Sequence, residues 1–73
     1  MEKLNVKDIM KSYRVRIGKS QTEIANLLGI TRLTFNSYEE NPGKIPTKLY
    51  GRLVELYGED FNDYFFTHKL YKM

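Results

Sequence analysis

The chain contains no cysteine and only one histidine among its 73 residues. Without thiols it has neither disulfides nor a cysteine-based zinc site, and the lone His68 has no second histidine with which to hold a metal. Hydrophobic residues nevertheless make up 41% of the chain and aromatic residues 14%. This apolar content predicts a single small domain that folds around its own core, with no metal and no cofactor.

Long apolar runs and catalytic motifs are missing as well. No run approaches the roughly 20 apolar residues that cross a bilayer, and residues 1–10 include acidic side chains but no signal-peptide stretch. Neither a glycine-rich phosphate loop nor a serine with a base at motif spacing occurs, and adjacent carboxylates such as Glu39 and Glu40 fit helix-terminal charges. We therefore expect a cytoplasmic protein that is not an enzyme and that binds neither membranes nor small molecules.

Charge is unevenly distributed along the chain. Residues 1–19 hold six basic and two acidic side chains, a balance of +4, whereas the remaining residues hold six basic and seven acidic ones, a balance of −1. A surface that faces phosphate groups produces such a polarity, and so does an ordinary solvated helix. The net charge of +3 is too small to decide between the two interpretations.

Apolar periodicity and helix-stop residues predict five helices joined by short loops. Ser20 and Glu23 form a capping-box pattern at the start of the second helix, and Asp60 is predicted to cap the fifth. Residues 1–66 are thereby predicted to form one all-α domain, and residues 67–73 a tail for which helix, strand and disorder stay open. The predicted bounds are Val6–Ile17 before Gly18, Ser20 to Gly29, Thr31 to Tyr38, Pro46 to Gly58, and Asp60 to Phe66.

The stretch from residue 21 to residue 41 is the most informative part of the sequence. It predicts two helices that meet across a short joint, where Gly29 permits a left-handed turn and Ala25 lets the two backbones approach. Ile30 is expected to fill the joint from inside. The second helix then presents a polar outer face, and the major groove of DNA, about 12 Å wide, accepts one such helix. This face consists of Thr31, Arg32, Thr34, Asn36 and Ser37, with Leu33 among them.

These residues also resemble those of a known family, the Cro/CI-like helix-turn-helix proteins of phage and bacterial repressors, often called the XRE family. The resemblance covers roughly residues 5–66, with Gly18 before the motif and Pro46 at the start of the fourth helix. It implies a compact lambda-repressor-like domain of four to five helices that binds a double-stranded DNA operator. The residues that carry the resemblance, all at the family's spacing, are Gln21, Ala25, Gly29, Ile30, Phe35, Tyr38 and Glu39.

The resemblance further implies roles for individual side chains. An arginine of the first helix pairs with a glutamate that ends the recognition helix in several relatives, which implies a structural ion pair between Arg14 and Glu39. Contacts to DNA bases are implied for Thr31, Arg32, Leu33, Asn36 and Ser37. Contacts to DNA phosphates are implied for Ser20, Gln21, Lys44, Thr47 and Lys48.

The chemistry of these side chains separates their expected targets. Arg32 can donate two hydrogen bonds to guanine O6 and N7, and Asn36 can contact adenine. Leu33 stands where many relatives have a long polar residue, so it fits either a thymine methyl group or a protein interface. Glu40 would repel a phosphate that it faced, and the glycine that commonly follows the family's glutamate comes later, at Gly43.

We therefore predict a Cro/CI-like transcriptional repressor that inserts the helix at residues 31–38 into the major groove and acts as a homodimer on an inverted repeat. The alternative is a small phage-type modulator or antirepressor on the same fold, which acts by binding another repressor protein. The aromatic-rich segment from Phe61 to Tyr71 is compatible with both, because aromatic residues complete cores and are also enriched in protein interfaces.

Overall fold

A computed structural model describes residues 6–68 and residue 70. All regular structure in these residues is helical, which confirms the predicted all-α class. The described residues form five α-helices, and a short 3-10 turn separates the third from the fourth. None of these helices has both the length and the apolar character needed to cross a lipid bilayer. The helices are α1 (Val6–Arg16), α2 (Gln21–Leu28), α3 (Arg32–Glu40), α4 (Thr47–Tyr57) and α5 (Glu59–Thr67), with the 3-10 turn at Pro42–Lys44.

The joint between α2 and α3 depends on Gly29. Its φ of 73° lies in the left-handed region, which a residue with a Cβ occupies at a cost of roughly 1–2 kcal/mol. The Gly29 amide donates to the Asn26 carbonyl at 3.2 Å, and the Ile30 amide donates to the Ala25 carbonyl at 3.0 Å. These paired bonds satisfy two of the last four carbonyls of α2, and the chain enters α3 after a joint of only three residues, 29–31. The end of α1 has the same pattern at Gly18.

Side chains cap the N-termini of both helices of this pair. Ser20 Oγ accepts a hydrogen bond from the Glu23 amide at 3.1 Å, and the Ser20 amide donates to Glu23 Oε1 at 2.9 Å, which confirms the capping box. Hydrogen bonding from the Ser20 amide, and to a lesser extent from its side chain, lowers the pKa of the Glu23 carboxyl. Thr31 Oγ1 accepts from the Thr34 amide at 3.1 Å and caps α3. Local hydrogen bonds therefore determine where α2 and α3 begin.

The predicted cap of the fifth helix is wrong. α5 begins at Glu59 with Gly58 as its N-cap, and no side chain caps it. Asp60 lies inside the first turn, where its carboxylate accepts from Arg16 Nη1 at 3.3 Å. A carboxylate anywhere in the first turn interacts favourably with the helix dipole. Because the helix begins at Glu59, Asp60 lies two residues beyond Gly58, the position at which a side chain can cap it.

Phe61 lies at the centre of the aromatic part of the core and is fully buried. Its ring centroid is 5.2–6.0 Å from those of four aromatic neighbours. Leu70 belongs to the same buried cluster. The boundary between domain and tail stays a prediction, because residues 69 and 71–73, including Tyr71, lie outside the described residues. The four neighbours of Phe61 are Tyr13, Tyr50, Tyr57 and Phe65.

The inner faces of α2 and α3 belong to the buried core around Phe35. Phe35 and Ile24 are fully buried, and Ala25 is 1% exposed, so only a methyl group fills this position of α2. Met10 of α1 belongs to the same cluster. Fully burying one large apolar side chain stabilises a fold by roughly 1.5–3 kcal/mol. Burial of these side chains therefore fixes α2 and α3 against the core, and the outer face of α3 remains in contact with solvent.

Alkaline pH is expected to unfold the protein through Tyr57, whose side chain is 3% exposed. Burial raises the pKa of its hydroxyl well above the ordinary value of 10.0, and the nearby Glu39 carboxylate raises that pKa further. In the unfolded chain the Tyr57 hydroxyl ionises near pH 10, whereas in the folded chain it ionises only at higher pH. The contribution of this group to the free energy of unfolding is therefore fully present below pH 10 and is lost as the pH rises above it. The loss for this one group approaches about 1.4 kcal/mol per pH unit.

Thermal unfolding followed from pH 8 to pH 12 measures this effect. The Tyr57→Phe variant is expected to have a shallower decline above pH 10, because it lacks the hydroxyl. Among the described residues this hydroxyl has no hydrogen-bond partner, so the variant is also expected to be at least as stable as the parent at pH 7. An unchanged alkaline slope in the variant would contradict the assignment.

Candidate nucleic-acid interface

The outer face of α3 is polar and open to solvent. Thr31, Arg32 and Leu33 are exposed at its N-terminal end, with Leu33 at 69%. Phe35 and Glu39, four residues apart and thus on one side of the helix, are fully buried. The two remaining candidate base-contacting residues, Asn36 and Ser37, are half-buried.

Hydrogen bonds within α3 restrict what Thr31 can do. Its hydroxyl oxygen accepts from the Thr34 amide, and it lies 2.9 Å from Thr34 Oγ1, so the two hydroxyls share a hydrogen bond. Because each hydroxyl has one hydrogen, at least one of the two hydroxyl hydrogens is engaged within the protein. Leu33 offers only apolar contact. Arg32 is therefore the residue at this end of the helix with several donors.

Arg14 and Glu39 meet in the interior between α1 and α3. Arg14 Nε donates to Glu39 Oε2, and Arg14 Nη2 donates to Glu39 Oε1 at 3.3 Å, so the guanidinium contacts both carboxylate oxygens. The Glu39 side chain is fully buried and that of Arg14 is 9% exposed. Arg14 Nη1 also donates to the Lys19 carbonyl at 3.2 Å. These contacts join the C-terminal end of α3 to α1, at the two positions for which the resemblance implied a structural pair.

Gln21, the first residue of α2, is the centre of a hydrogen-bond network that we call the Gln21 network. Its Nε2 donates to Glu39 Oε1 at 2.8 Å and to Asn36 Oδ1 at 3.0 Å. Its Oε1 accepts from Arg32 Nη1 at 3.2 Å. Both amide hydrogens are therefore engaged, and a side-chain contact to a phosphate requires Gln21 to release one of them. Nothing in the spacing of these residues predicted the network.

The other candidate phosphate-binding side chains are exposed near the N-termini of α2 and α4. Ser20 is the N-cap of α2, Lys44 ends the 3-10 turn, and Thr47 and Lys48 begin α4. No side chain caps α4, so its first amides are available to an acceptor. Within residues 6–68 and 70, no side-chain hydrogen bond connects Lys44, Thr47 or Lys48 to the Gln21 network.

Several charged side chains away from the N-terminal end of α3 are engaged within the protein. Glu40, whose charge was expected to repel phosphate, lies 3.4 Å from Lys7 Nζ through its Oε2. Arg16 donates to Asp60 and to the Tyr57 carbonyl. Together with the buried Arg14, these contacts occupy three basic residues of the N-terminal segment. Half of the six basic side chains in residues 1–19 are thus paired within the protein.

No family model and no solved structure matches the chain. The sequence does match an inferred HTH-type transcriptional regulatory protein of Sulfurisphaera tokodaii, with 34% identity over 58 residues. The chain resembles a helix-turn-helix regulator. The aligned region is 80% of this chain but 19% of the relative, so the chain spans about one fifth of that protein's length. The similarity supports the helix-turn-helix character of this chain and does not extend to the rest of the relative.

The match to a helix-turn-helix regulator agrees with the geometry of α2 and α3. A short glycine joint, two capped N-termini and a buried inner face are the features that hold a recognition helix out from a domain. The narrower resemblance to Cro/CI-like proteins depends on the motif residues alone.

Proposed function

We propose that the protein is a sequence-specific double-stranded-DNA-binding transcriptional regulator of the Cro/CI-like repressor type, and not an enzyme. In this proposal α3 enters the major groove with Arg32, Leu33 and its neighbours toward the bases. The observation that carries it is the division of α3 into a buried inner face and a polar, exposed outer face. The name of the matched relative, a transcriptional regulator, supports the same function.

The proposed base contacts follow from the hydrogen-bond state of each side chain. Arg32 is suited to guanine, since an arginine retains free donors when one of its five N–H groups is engaged. Leu33 is suited to the methyl group of thymine, which is apolar and lies in the major groove. Thr31, Asn36 and Ser37 supply shorter polar contacts. The proposed phosphate contacts come from Ser20, Gln21, Lys44, Thr47 and Lys48.

DNA binding is expected to be sequence-specific and strongly dependent on salt. Bound duplexes are first selected from random DNA, and the dissociation constant is then measured by fluorescence anisotropy between 50 and 200 mM salt. Log affinity should fall by about 0.9 per unit of log salt for each phosphate neutralised. A shuffled duplex of the same composition is the control. Equal affinity for the selected and shuffled duplexes would overturn the proposed function.

We further propose a homodimer on an inverted repeat with half-site centres roughly 34 Å apart. Phe66 of α5 is 54% exposed, whereas Phe61 and Phe65 are buried in the core. An aromatic side chain on the surface suits a contact between copies. Sedimentation at micromolar protein, with and without the selected duplex, measures the oligomeric state. A single copy in both samples would contradict the dimer.

A second candidate function is a modulator that binds another repressor protein. The observation that favours it is Leu33, an exposed apolar side chain in the middle of the proposed DNA face. Among the described residues, Leu33 is the one large exposed apolar side chain on α3. The protein's other large exposed apolar side chains lie on three different helices and are Val15, Leu27 and Phe66. Loss of repressor binding in a Leu33→Ala variant, without any DNA binding by the parent, would favour this candidate.

A further inference from the structure

Glu40 is the last residue of α3, and it shares a side of that helix with the proposed base contacts. It follows Leu33 by seven residues and Asn36 by four, and residues at these spacings lie on one side of a helix. Its side chain is 55% exposed. When α3 lies in the major groove, this carboxylate therefore faces the DNA side, where the phosphates carry the same sign of charge.

Lys7 of α1 compensates the charge of Glu40. Its Nζ donates to Glu40 Oε2 at 3.4 Å, and 47% of its side chain is exposed. Arg14, two turns later on the same side of α1, meets Glu39 in the interior. The C-terminal end of α3 is thus bound to α1 through two adjacent glutamates, one buried and one exposed. Only the exposed pair is open to solvent, and therefore to exchange with another anion.

Moving the Lys7 ammonium from Glu40 to a phosphate has two costs. An exposed ion pair contributes a factor of about 1–5 to an equilibrium, and the move forfeits that factor. It also leaves the Glu40 carboxylate without a partner on the side of α3 that the phosphates approach, where like charges repel over about 10 Å at 0.1 M salt. Both costs disappear when residue 40 is neutral, so the charge of Glu40 decides which partner Lys7 takes.

We infer that Glu40 keeps the Lys7 ammonium off the DNA backbone and thereby lowers the affinity of the protein for every duplex. The inference rests on the proposed function, because it concerns the complex with DNA. A phosphate contact carries no sequence information. Withholding one therefore weakens binding to selected and shuffled duplexes alike, and it leaves the choice between them to the base contacts at the other end of α3.

The first experiment concerns the protein without DNA. Carbon-13 relaxation of the lysine Cε groups measures how strongly each ammonium end is held. Lys11 is the reference, because it is exposed one turn after Lys7 on α1 and has no ion pair among the described residues. We expect Lys7 to have the higher order parameter in the parent and to fall to the Lys11 level in Glu40→Gln. Equal values in the parent would overturn the inference.

The second experiment measures the salt dependence of DNA binding. Without the carboxylate Lys7 neutralises one more phosphate, so Glu40→Gln should raise the salt slope by about 0.9 for each bound copy. Its gain in affinity over the parent should accordingly be about 3.5-fold larger at 50 mM than at 200 mM salt for each copy. The gain should be equal for selected and shuffled duplexes. Glu55→Gln, which removes an exposed charge near the end of α4, is the matched control and should leave the slope unchanged.

Lys7→Met tests whether the gain depends on the lysine. Methionine keeps an unbranched side chain but has no ammonium group. Combined with Lys7→Met, Glu40→Gln should leave the salt slope as it is in the parent. A rise of the same size without Lys7 would mean that repulsion by Glu40 alone accounts for the gain, and the inference would be wrong. It would also be wrong if Lys7→Met alone lowered the slope, because Lys7 would then already contact a phosphate.

The outcomes separate this inference from the proposed function. If the parent prefers the selected duplex but Glu40→Gln has the parent's salt slope, only the inference fails. If the parent binds both duplexes equally and Glu40→Gln raises the slope, the proposed sequence specificity fails and the inference holds. If the parent binds no duplex, both fail. A circular-dichroism melt of each variant confirms that it is folded, as expected for the loss of an exposed ion pair.

Discussion

Replacing Glu39 by glutamine is expected to destabilise the folded chain by about 3–5 kcal/mol. The substitution keeps the shape of the side chain but removes the charge that compensates Arg14 in the interior. In either orientation of the new amide, its N–H₂ group also faces at least one N–H donor of Arg14, because Arg14 donates to both oxygens of Glu39. Since a domain of this length is typically stable by roughly 4–11 kcal/mol, the variant should lose a large share of its free energy of unfolding. Urea denaturation followed by circular dichroism measures the change.

Glu40→Gln is the matched control for this substitution. Glu40 is the next residue and also pairs with a basic side chain, Lys7, but both partners are about half exposed. An exposed pair contributes about 0–1 kcal/mol, so the control should unfold nearly as the parent does. Replacing both members of the buried pair, as Arg14→Met with Glu39→Met, should restore much of the stability that Glu39→Gln loses, because no charge then lacks a partner. A loss below about 1 kcal/mol in Glu39→Gln would refute the uncompensated-charge argument.

The helix bounds were largely predictable because local signals determine them. Ser20 with Glu23, Thr31 and Gly29 each act on backbone groups within a few residues, so their effect can be derived from spacing alone. Asp60 shows the limit of this reasoning. A favourable cap residue was present, yet its carboxylate is bound by Arg16, 44 residues earlier in the chain. A contact between residues so far apart in the sequence cannot be predicted from a local pattern.

The Gln21 network was not predictable for the same reason. Gln21 contacts Asn36 and Glu39, which lie 15 and 18 residues away, and those contacts depend on how α2 and α3 cross. The resemblance implied that Gln21 contacts a DNA phosphate, which concerns the complex with DNA. The structure adds the contacts of the free protein, where the same side chain bridges Arg32 and a buried carboxylate. The sequence therefore shows that these residues are polar, but only the packing of the helices shows which of them form hydrogen bonds with one another.

Removing the Arg32 side chain is expected to have the largest effect on function. A bidentate arginine–guanine contact contributes about 1–3 kcal/mol of discrimination, so two such contacts in a dimer contribute about 2–6 kcal/mol if the half-sites act independently. Arg32→Ala should lose this discrimination on the selected duplex. The single hydrogen bond from Arg32 to Gln21 lies at the protein surface, so the fold should remain intact. Competition between selected and shuffled duplexes, at fixed salt, measures the ratio of affinities.

Lys44→Ala provides the contrast to Arg32→Ala, since both substitutions remove one exposed positive charge. A lysine that contacts a phosphate does not distinguish sequences, so its loss should weaken both duplexes alike and reduce the salt slope by about 1 for each contact. Arg32→Ala should instead change the ratio far more than it changes binding to the shuffled duplex. If the two variants weaken binding to both duplexes to the same extent, Arg32 contributes only electrostatic attraction to DNA and no contact that distinguishes bases. The N-terminal end of α3 would then position the protein on DNA without selecting its sequence.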